Sequence, residues 1–208
     1  MCIISETWPT PKIPDNLVKI PGYSIYRCDG GKGGGVGVYV RDNFRVNLIP
    51  NDIERPPLVE DIWITVQHRK YKTYAIGFVY RHPRATVESF DYLSNIFRNM
   101  CLRNQSILIM GDFNDNILVP NSKIMNISLA LHVHQLVNIT TRITATSSTW
   151  IDLIFTNENF VFKSDVISCP VGDHELLTVT IDVAREKSPP VIRTYRSLKK
   201  YSKNVFCE

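Results

Sequence analysis

The residues with the clearest capacity for chemistry follow a short apolar run, Ile107 to Met110. A glycine ends this run, and Asp112 and Asn114 follow on either side of an aromatic ring. A buried strand that ends in this way places a proton acceptor and a neutral hydrogen-bond donor together at the rim of a sheet. Such a pair can activate a water and hold an oxyanion, although Asp-x-Asn is also a common turn sequence.

Three further polar clusters stand at the ends of other apolar runs, and none identifies a function alone. Glu6 ends the first run, where a carboxylate suits Mg²⁺, a cation that binds oxygen ligands and keeps several waters. A helix or turn cap is the alternative role for this glutamate. The other clusters contain Asp152 and the pair Asp173-His174, although a lone histidine in a loop is more often an ordinary surface residue.

Together and in this order, the four clusters resemble the metal-dependent endonuclease/exonuclease/phosphatase superfamily. A narrower likeness is to the endonuclease domain of non-LTR retrotransposons, which is similar to apurinic-site endonucleases. This likeness extends from Ser5 to about Val183. Its motifs are Ser5-Glu6-Thr7-Trp8, the run from Gly33 to Arg41, the turn Tyr80-Arg81-His82-Pro83, and the segment from Ile151 to Asn157.

The resemblance implies a role for each carboxylate. Glu6 matches a ligand of the essential divalent metal, expected here to be Mg²⁺ with Mn²⁺ as a substitute, and Asp173 matches a second carboxylate on the metal side. Asp112 matches the residue that orients the attacking water or accepts its proton. Asn114 matches an amide that hydrogen-bonds the phosphate or the water.

The resemblance also implies a pairing of Asp152 with His174, in which the carboxylate fixes the ring tautomer and favours the charged imidazolium. The histidine would then stabilise charge on the phosphate, or act as the general base, and the sequence leaves both roles open. Tyr80 matches a tyrosine whose hydroxyl contacts the scissile phosphate, although a tyrosine at a strand end is ordinarily a packing residue.

DNA contacts are expected from Arg81, Ser148 and Thr149, which lie in the retrotransposon-like motifs or beside them. Ser148 and Thr149 could equally be plain residues of a strand edge. The glycine run from 30 to 35 lacks the Lys-Ser/Thr of a phosphate-binding loop and leads into a strand pattern, so it predicts a hairpin connection.

Charge and composition narrow the class of protein. The 208 residues are 44% hydrophobic and 21% charged, which fits one globular domain. Of the net charge of +4, the segment 185–208 carries +5, so residues 1–184 carry −1. The globular part is therefore not a generic basic nucleic-acid binder. Residues 1–184 are expected to form the catalytic domain, and residues 185–208 a basic tail or linker.

The cysteines and the hydropathy pattern indicate location. Five scattered cysteines without a C-x-x-C pair favour a reducing compartment, and no apolar stretch has membrane-spanning length. We expect an intracellular protein with no membrane association, acting in the nucleus if it cuts DNA. The cysteines are Cys2, Cys28, Cys101, Cys169 and Cys207.

The apolar runs predict an α+β fold. Nine runs of strand length are bounded by turn residues, and one amphipathic helix follows Thr86, with a weaker one from Ser122 to Leu131. Many strands with few helices indicate two packed sheets. The resemblance supplies the detail of a four-layer α/β/β/α sandwich, with two mainly antiparallel sheets and flanking helices.

One departure from the family pattern affects the expected activity. The superfamily begins with a strand that carries an active-site Asn and precedes the Glu motif, and this strand is missing here. We therefore expect unpaired backbone groups on its neighbours and a thinner metal site. The resemblance implies an Mg²⁺-dependent phosphodiesterase that nicks double-stranded DNA, and it implies a polyprotein in which a reverse transcriptase follows. The alternatives are an inactive remnant and a phosphoesterase of phospholipids or inositol phosphates.

Overall fold

The computed structural model describes residues 1–8, 12–69, 71–104, 106–157, 162–170 and 172–181. The helices are α1 (Asp15–Val18), α2 (Glu88–Arg103) and α3 (Lys123–Ala130). The strands are β1 (Cys2–Ser5), β2 (Tyr23–Cys28), β3 (Val36–Arg41), β4 (Arg45–Leu48), β5 (Val59–Gln67), β6 (Tyr74–Arg81), β7 (Ile107–Asp112), β8 (His134–Gln135), β9 (Arg142–Ile143), β10 (Ser148–Thr149), β11 (Asp152–Thr156), β12 (Phe162–Ile167) and β13 (Leu176–Ile181).

A six-stranded sheet forms the centre of the fold, in the order β4-β5-β6-β7-β11-β8. Its neighbours are antiparallel except for β6 and β7, which run parallel. A parallel pair needs a crossover connection, and helix α2 lies in the segment between these two strands. The hydrophobic residues of α2 and α3 pack on one face of this sheet, in a cluster that we call the helix-side core.

The opposite face of the six-stranded sheet packs against two smaller sheets. One is three-stranded, in the order β1-β3-β2, and the other is the hairpin of β12 and β13. We call the cluster between the sheets the intersheet core; it combines Val38 of β3 and Phe78 of β6 with partly buried residues such as Ile3 and Val179. These layers confirm the predicted α+β sandwich with mainly antiparallel sheets.

Residues in the central strands alternate between the two cores, as a pleated strand requires. In β6, Ile76, Phe78 and Tyr80 belong to the intersheet core, whereas Ala75 and Val79 belong to the helix-side core. Both faces are buried, so these strands read as almost continuous apolar runs. The alternation decides which polar side chains at the strand ends share a face.

The predicted elements are largely confirmed. The first two predicted strands have the bounds of β1 and β2, and the glycine run from 30 to 35 connects the antiparallel strands β2 and β3. Both predicted helices are present as α2 and α3. The sequence missed the short helix α1 and the edge strand β4, as well as the two-residue strands β8, β9 and β10, which are too short to show a period.

Two strand edges face one cleft. In the part of the chain that the structure describes, β1 pairs only with β3, and β13 pairs only with β12. Residues of both strands line the same cleft of about 780 Å³, at whose polar end the predicted catalytic residues lie. Among the helices of the described residues, none has the length and apolar character needed to cross a bilayer.

Candidate active site

Four polar residues form a row across the six-stranded sheet. Glu60 of β5 is paired with Tyr80 of β6, Tyr80 with Asp112 of β7, and Asp112 with Asp152 of β11. Each lies two residues along its strand from a residue of the intersheet core, so all four point from the same face of the sheet. Strand register therefore brings together three residues that the sequence predicted to be catalytic.

Tyr80 joins this row to Glu6 at the end of β1. Its hydroxyl donates hydrogen bonds to Glu6 Oε1 at 2.7 Å and to the carbonyl oxygen of Gly33 at 3.2 Å. Burial raises the pKa of Tyr80, and the hydrogen bond to the Glu6 carboxylate raises it further. Tyr80 thus stays neutral and acts as a donor at any physiological pH, while the exposed Glu6 side chain is held by the bond that it accepts.

The turn after β7 holds Asp112 and Asn114 together. Asn114 lies in the left-handed region at φ 45°, and its backbone N–H donates to Asp112 Oδ1 at 2.9 Å. Its side-chain amide donates to Asp112 Oδ2 at 3.2 Å and to the carbonyl oxygen of Arg81 at 2.9 Å. This conformation is costly for a residue other than glycine, and such strain concentrates at functional sites.

Asp112 is the most deeply buried carboxylate of the row, with 3% of its surface exposed. Burial raises the pKa of Asp112 to about 7, and the charge of Asp152 adds to the rise. The hydrogen bond from the Asn114 backbone and the charge of His174 oppose it. A carboxylate with this pKa is suited to exchange a proton with a water near neutral pH.

Asp152 and His174 form the predicted carboxylate–imidazole pair. Nδ1–H of His174 donates to Asp152 Oδ2 at 2.9 Å, and the hydroxyl of Thr141 donates to the same oxygen at 2.7 Å. The hydrogen bond to Asp152 raises the pKa of His174, against the opposing effect of burial. The pair thus favours imidazolium beside the buried carboxylate of Asp112.

Asp173 lies apart from the row and is partly exposed. The guanidinium of Arg142 donates to Asp173 Oδ2 at 2.8 Å, and this hydrogen bond lowers the pKa of Asp173. Arg142 belongs to the short hairpin of β9 and β10, and it forms an isolated β-bridge with His174. Both Asp173 and Arg142 line the cleft together with Glu6, so a basic side chain stands at its mouth.

Arg81, which the sequence predicted to contact DNA, is buried. It is 6% exposed and faces the helix-side core, opposite to Tyr80. Its guanidinium donates to Ser89 Oγ at 2.7 Å and to the carbonyl oxygen of Ala85 at 2.8 Å, and it stacks over the Phe90 ring. The guanidinium is thus almost fully buried and bonded near the start of α2, so we leave Arg81 out of the proposed DNA contacts.

Ser148 and Thr149 form β10, opposite β9. Ser148 is exposed, whereas the hydroxyl of Thr149 is buried without a hydrogen-bond partner among the described residues. The carbonyl oxygen of Thr149 accepts from the backbone N–H of Thr141, which links the hairpin to the residue that holds Asp152. Only Ser148 of this pair is open to a ligand from solvent.

The polar end of the cleft contains one group of donors that could hold a cation. Ligand atoms of Asp112, Asp152 and His174 lie within 4.8 Å of one another. Among the described residues this is a set of two carboxylate oxygens and one imidazole nitrogen, donors that divalent metal ions accept. Glu6 and Asp173, which the sequence singled out as metal ligands, line the same cleft but do not belong to this group.

Sequence reasoning missed Thr141, Arg142 and Glu60. Thr141 is fully buried, and its hydroxyl oxygen also accepts from the backbone N–H of Asp152 at 3.0 Å. It lies in an irregular segment, so no periodicity could have found it. Glu60 could have been found, because strand alternation and the pairing of β5 with β6 place it beside Tyr80.

The packed sheets carry an acidic row, a buried Asp-x-Asn turn and an Asp–His pair at one end. These features are those of a hydrolase of the metal-dependent phosphoesterase class. The chain belongs to the Endonuclease/Exonuclease/phosphatase family, whose model matches residues 2–174. Members of this family are metal-dependent nucleases or phosphatases that act on phosphoester bonds.

Solved structures share the fold at low sequence identity. A 3′ phosphatase, NExo from Neisseria, bound to a product DNA hairpin, aligns with a TM-score of 0.61 and 14% identity over 86% of this chain and 88% of that chain. TDP2 of D. rerio, complexed with a single-stranded DNA product, aligns with a TM-score of 0.57 and 13% identity over 83% and 82%.

A third structure extends the range of substrates among the structural neighbours. The mannosyl-6-phosphatase Bt3783 from Bacteroides thetaiotaomicron aligns with a TM-score of 0.52 and 13% identity over 79% of this chain and 78% of that chain. No curated protein matches the chain by sequence. At these identities the structural neighbours establish the fold alone.

Proposed function

We propose that this chain is an Mg²⁺-dependent phosphodiesterase that nicks double-stranded DNA, of the non-LTR retrotransposon endonuclease type. The observation that carries the proposal is the row of Tyr80, Asp112 and Asp152, with His174 bonded to its end. It provides a proton acceptor with a pKa near 7, two neutral donors and an imidazolium at one end of one cleft. Hydrolysis of a phosphodiester needs these groups.

In the proposed reaction Asp112 aligns the attacking water and takes up its proton. The side-chain amide of Asn114 keeps its bond to the carbonyl oxygen of Arg81 and would exchange its bond to Asp112 Oδ2 for one to the phosphate. The hydroxyl of Tyr80 would likewise exchange Glu6 for the phosphate. His174 is held by Asp152 and stabilises the negative charge that develops on the phosphorus oxygens. The alternative role of His174 as general base is disfavoured by the hydrogen bond that raises its pKa.

For the metal, we propose Glu6 and Asp173 as ligands, as the sequence predicts. Once bound there, Mg²⁺, or Mn²⁺ in its place, would neutralise charge on the phosphate and on the leaving oxygen. Glu6 already lies at the mouth with one oxygen on Tyr80, and Asp173 would exchange Arg142 for the cation. We assign Asp112, Asp152 and His174 to the water and the phosphate instead, because an imidazolium does not bind a metal.

Double-stranded DNA is the proposed partner. Two of the structural neighbours are complexes with DNA products, and Arg142 and the exposed Ser148 stand at the β9–β10 hairpin beside the cleft. The hydroxyl of Thr149 is buried, so its proposed contribution is to shape this hairpin. The basic segment 185–208 would add a salt-sensitive contact to the phosphate backbone, but it lies outside the described residues.

Domain bounds, origin and location are also part of what we propose for this chain. We propose that residues 1–184 form the catalytic domain, that the chain derives from an element in which a reverse transcriptase follows, and that it acts in the nucleus. The observations behind this are the motif likeness and the charge of the tail. The four cysteines of the described residues are unpaired, in keeping with a reducing compartment.

A substrate panel tests the reaction class. Supercoiled plasmid, a 3′-phosphate oligonucleotide, a phospholipid diester and a sugar phosphate would each be incubated with the protein and Mg²⁺. We expect plasmid nicking that leaves a 3′ hydroxyl, at a rate at least about tenfold above hydrolysis of the other three. Faster release of phosphate from the sugar phosphate would instead place the chain with the phosphatases of the family.

A second candidate function is that of a folded but inactive relative. The observation that favours it is that, among the described residues, β1 and β13 each have one edge without a partner strand and both line the cleft. A free edge next to Glu6 weakens the support of a metal ligand. A cooperative thermal melt without nicking of any substrate in the panel would select this function.

A further inference from the structure

Glu60 is a buried carboxylate that the proposed mechanism does not use. It is 8% exposed, and its Oε2 atom has no hydrogen-bond partner among the described residues. Burial raises the pKa of Glu60. Because burying a carboxylate with incomplete hydrogen bonding is costly, its retention at the end of the catalytic row requires a reason.

The contacts of Glu60 are with the glycine loop, residues 30–35. The backbone of Gly35 hydrogen-bonds to its carboxylate. A Cβ atom built at Gly30 would lie 2.5 Å from Glu60 Oε1, and one built at Gly34 would lie 3.0 Å from the same atom. The loop therefore folds closely around this carboxylate, and its glycines leave the room that the carboxylate fills.

The other side of the glycine loop holds the segment that contains Glu6. The carbonyl oxygen of Gly34 accepts from the backbone N–H of Trp8 at 2.9 Å, and that of Gly35 accepts from Thr7 at 3.4 Å. The carbonyl oxygen of Gly33 accepts from the Tyr80 hydroxyl, which also bonds Glu6. Three consecutive carbonyl groups thus fix both Tyr80 and the residues after Glu6.

Glu6 needs this support. It is exposed, it follows the edge strand β1, and its backbone is in the left-handed region at φ 51°. A metal ligand on such a segment is effective only when its position is fixed by neighbouring groups. The glycine loop accepts hydrogen bonds from Thr7 and Trp8, the two residues that follow Glu6.

We propose that Glu60 is a positioning residue for the metal ligand Glu6, acting through the glycine loop. This inference rests on the proposed function, in which Glu6 binds the cation. If Glu60 has this role, its replacement should weaken the affinity for metal without lowering the stability of the fold. The reason is that the buried carboxylate costs stability while it organises the loop.

The test measures Mn²⁺ binding by electron paramagnetic resonance, together with thermal melts, for the full chain and its variants. We expect Glu60→Met to fold with an unchanged or higher melting temperature and to bind Mn²⁺ at least about fivefold more weakly. Glu60→Gln keeps an acceptor for the Gly35 N–H and should bind within about twofold of the wild type.

Asp61→Asn is the matched control, since Asp61 is a neighbouring buried carboxylate that bonds Trp63 and Tyr92 and not the loop. It should lower stability and leave Mn²⁺ affinity unchanged. If Glu60→Met does not fold, Gly34→Ala perturbs the same contact from the loop side and should also weaken Mn²⁺ binding.

The inference would be overturned if folded Glu60→Met bound Mn²⁺ with wild-type affinity. Where Gly34→Ala has to replace that variant, wild-type affinity in Gly34→Ala would have the same meaning. Equal losses of affinity in Glu60→Gln and Glu60→Met would also overturn it. Such a result with a wild type that binds Mn²⁺ and nicks DNA would leave the proposed function standing. A wild type that neither binds Mn²⁺ nor nicks would overturn both.

Discussion

At the scale of single residues, the buried carboxylate of Asp112 serves the proposed chemistry but lowers the stability of the fold. Its folded pKa of about 7 lies above the ordinary value of 3.8 for an aspartate. Between these two values the folded state keeps a proton that the unfolded state has released. The free energy of unfolding of the metal-free protein therefore falls as pH rises through this window.

Replacing Asp112 with asparagine should consequently raise stability and abolish nicking. At pH 8 without metal, Asp112→Asn removes a buried charge but keeps the acceptor for the Asn114 backbone N–H. We expect its melting temperature to exceed that of the wild type by about 3–6 °C at pH 8, measured by calorimetry. Below about pH 3 the gain should vanish, because Asp112 is then protonated in both the folded and the unfolded state.

An equal gain at both pH values would contradict this account, since a change in packing alone does not depend on pH. Addition of Mg²⁺ gives a second check. The cation favours an ionised site, so it should stabilise the wild type more at pH 8 than at pH 5.

His174 provides a separate prediction at the residue scale. Its folded pKa is raised above the ordinary histidine value of 6.5. The pair with Asp152 therefore contributes stability that is fully present below about pH 6.5 and is lost as pH rises through the folded pKa. NMR titration of the His174 ring should give a pKa above 6.5, and Asp152→Asn should lower it. A His174 pKa that Asp152→Asn leaves unchanged would contradict the pairing.

At the scale of the elements, strand alternation and register account for the site. The apolar runs of the sequence predicted most of the strands, because those strands are long enough to show a bias in composition. Alternation also places Tyr80 and Arg81 on opposite faces of β6, so the DNA contact of Arg81 stays a prediction and is not part of the proposed site. Thr141 and the β9–β10 hairpin could not be predicted, since tertiary contacts and not periodicity define their conformation.

The structural role of Arg81 can be tested against Arg84, which is exposed in the same turn. Arg81→Met removes the hydrogen bonds to Ser89 and to the Ala85 carbonyl and should reduce the free energy of unfolding by about 2–4 kcal/mol. Arg84→Met should change it by less than about 0.5 kcal/mol. Urea denaturation measures both values, and a fully stable Arg81→Met with weaker DNA binding would restore the original expectation.

Gly111 sets the close approach of β7 to β6 just before Asp112. Its φ is +152°, and a Cβ atom there would overlap the carbonyl oxygen of Val79. We expect Gly111→Ala to cost at least about 3 kcal/mol of stability. Gly22→Ala is the matched control, because Gly22 also has a positive φ but no atom within 4 Å of its Cβ position; it should cost about 1 kcal/mol. Equal losses would show that backbone strain, and not the clash, limits position 111.

At the scale of the whole molecule, the charge balance constrains the proposed function. Residues 1–184 carry a net charge of −1, so under the proposal that DNA is the substrate, the cation, Arg142 and the basic segment 185–208 would have to supply the attraction to its phosphates. The family and the two-sheet architecture followed from the motifs and the strand count. The substrate does not follow from them, since neighbours of the same fold include a 3′ phosphatase and a mannosyl-6-phosphatase.

The most direct test of the central claim is nicking of supercoiled plasmid by the purified chain in Mg²⁺. We predict open circles with the wild type, none in EDTA, and a loss of at least about a thousandfold in Asp112→Asn. A thermal melt should show that this variant is folded. Nicking that persists in EDTA or in folded Asp112→Asn would contradict it.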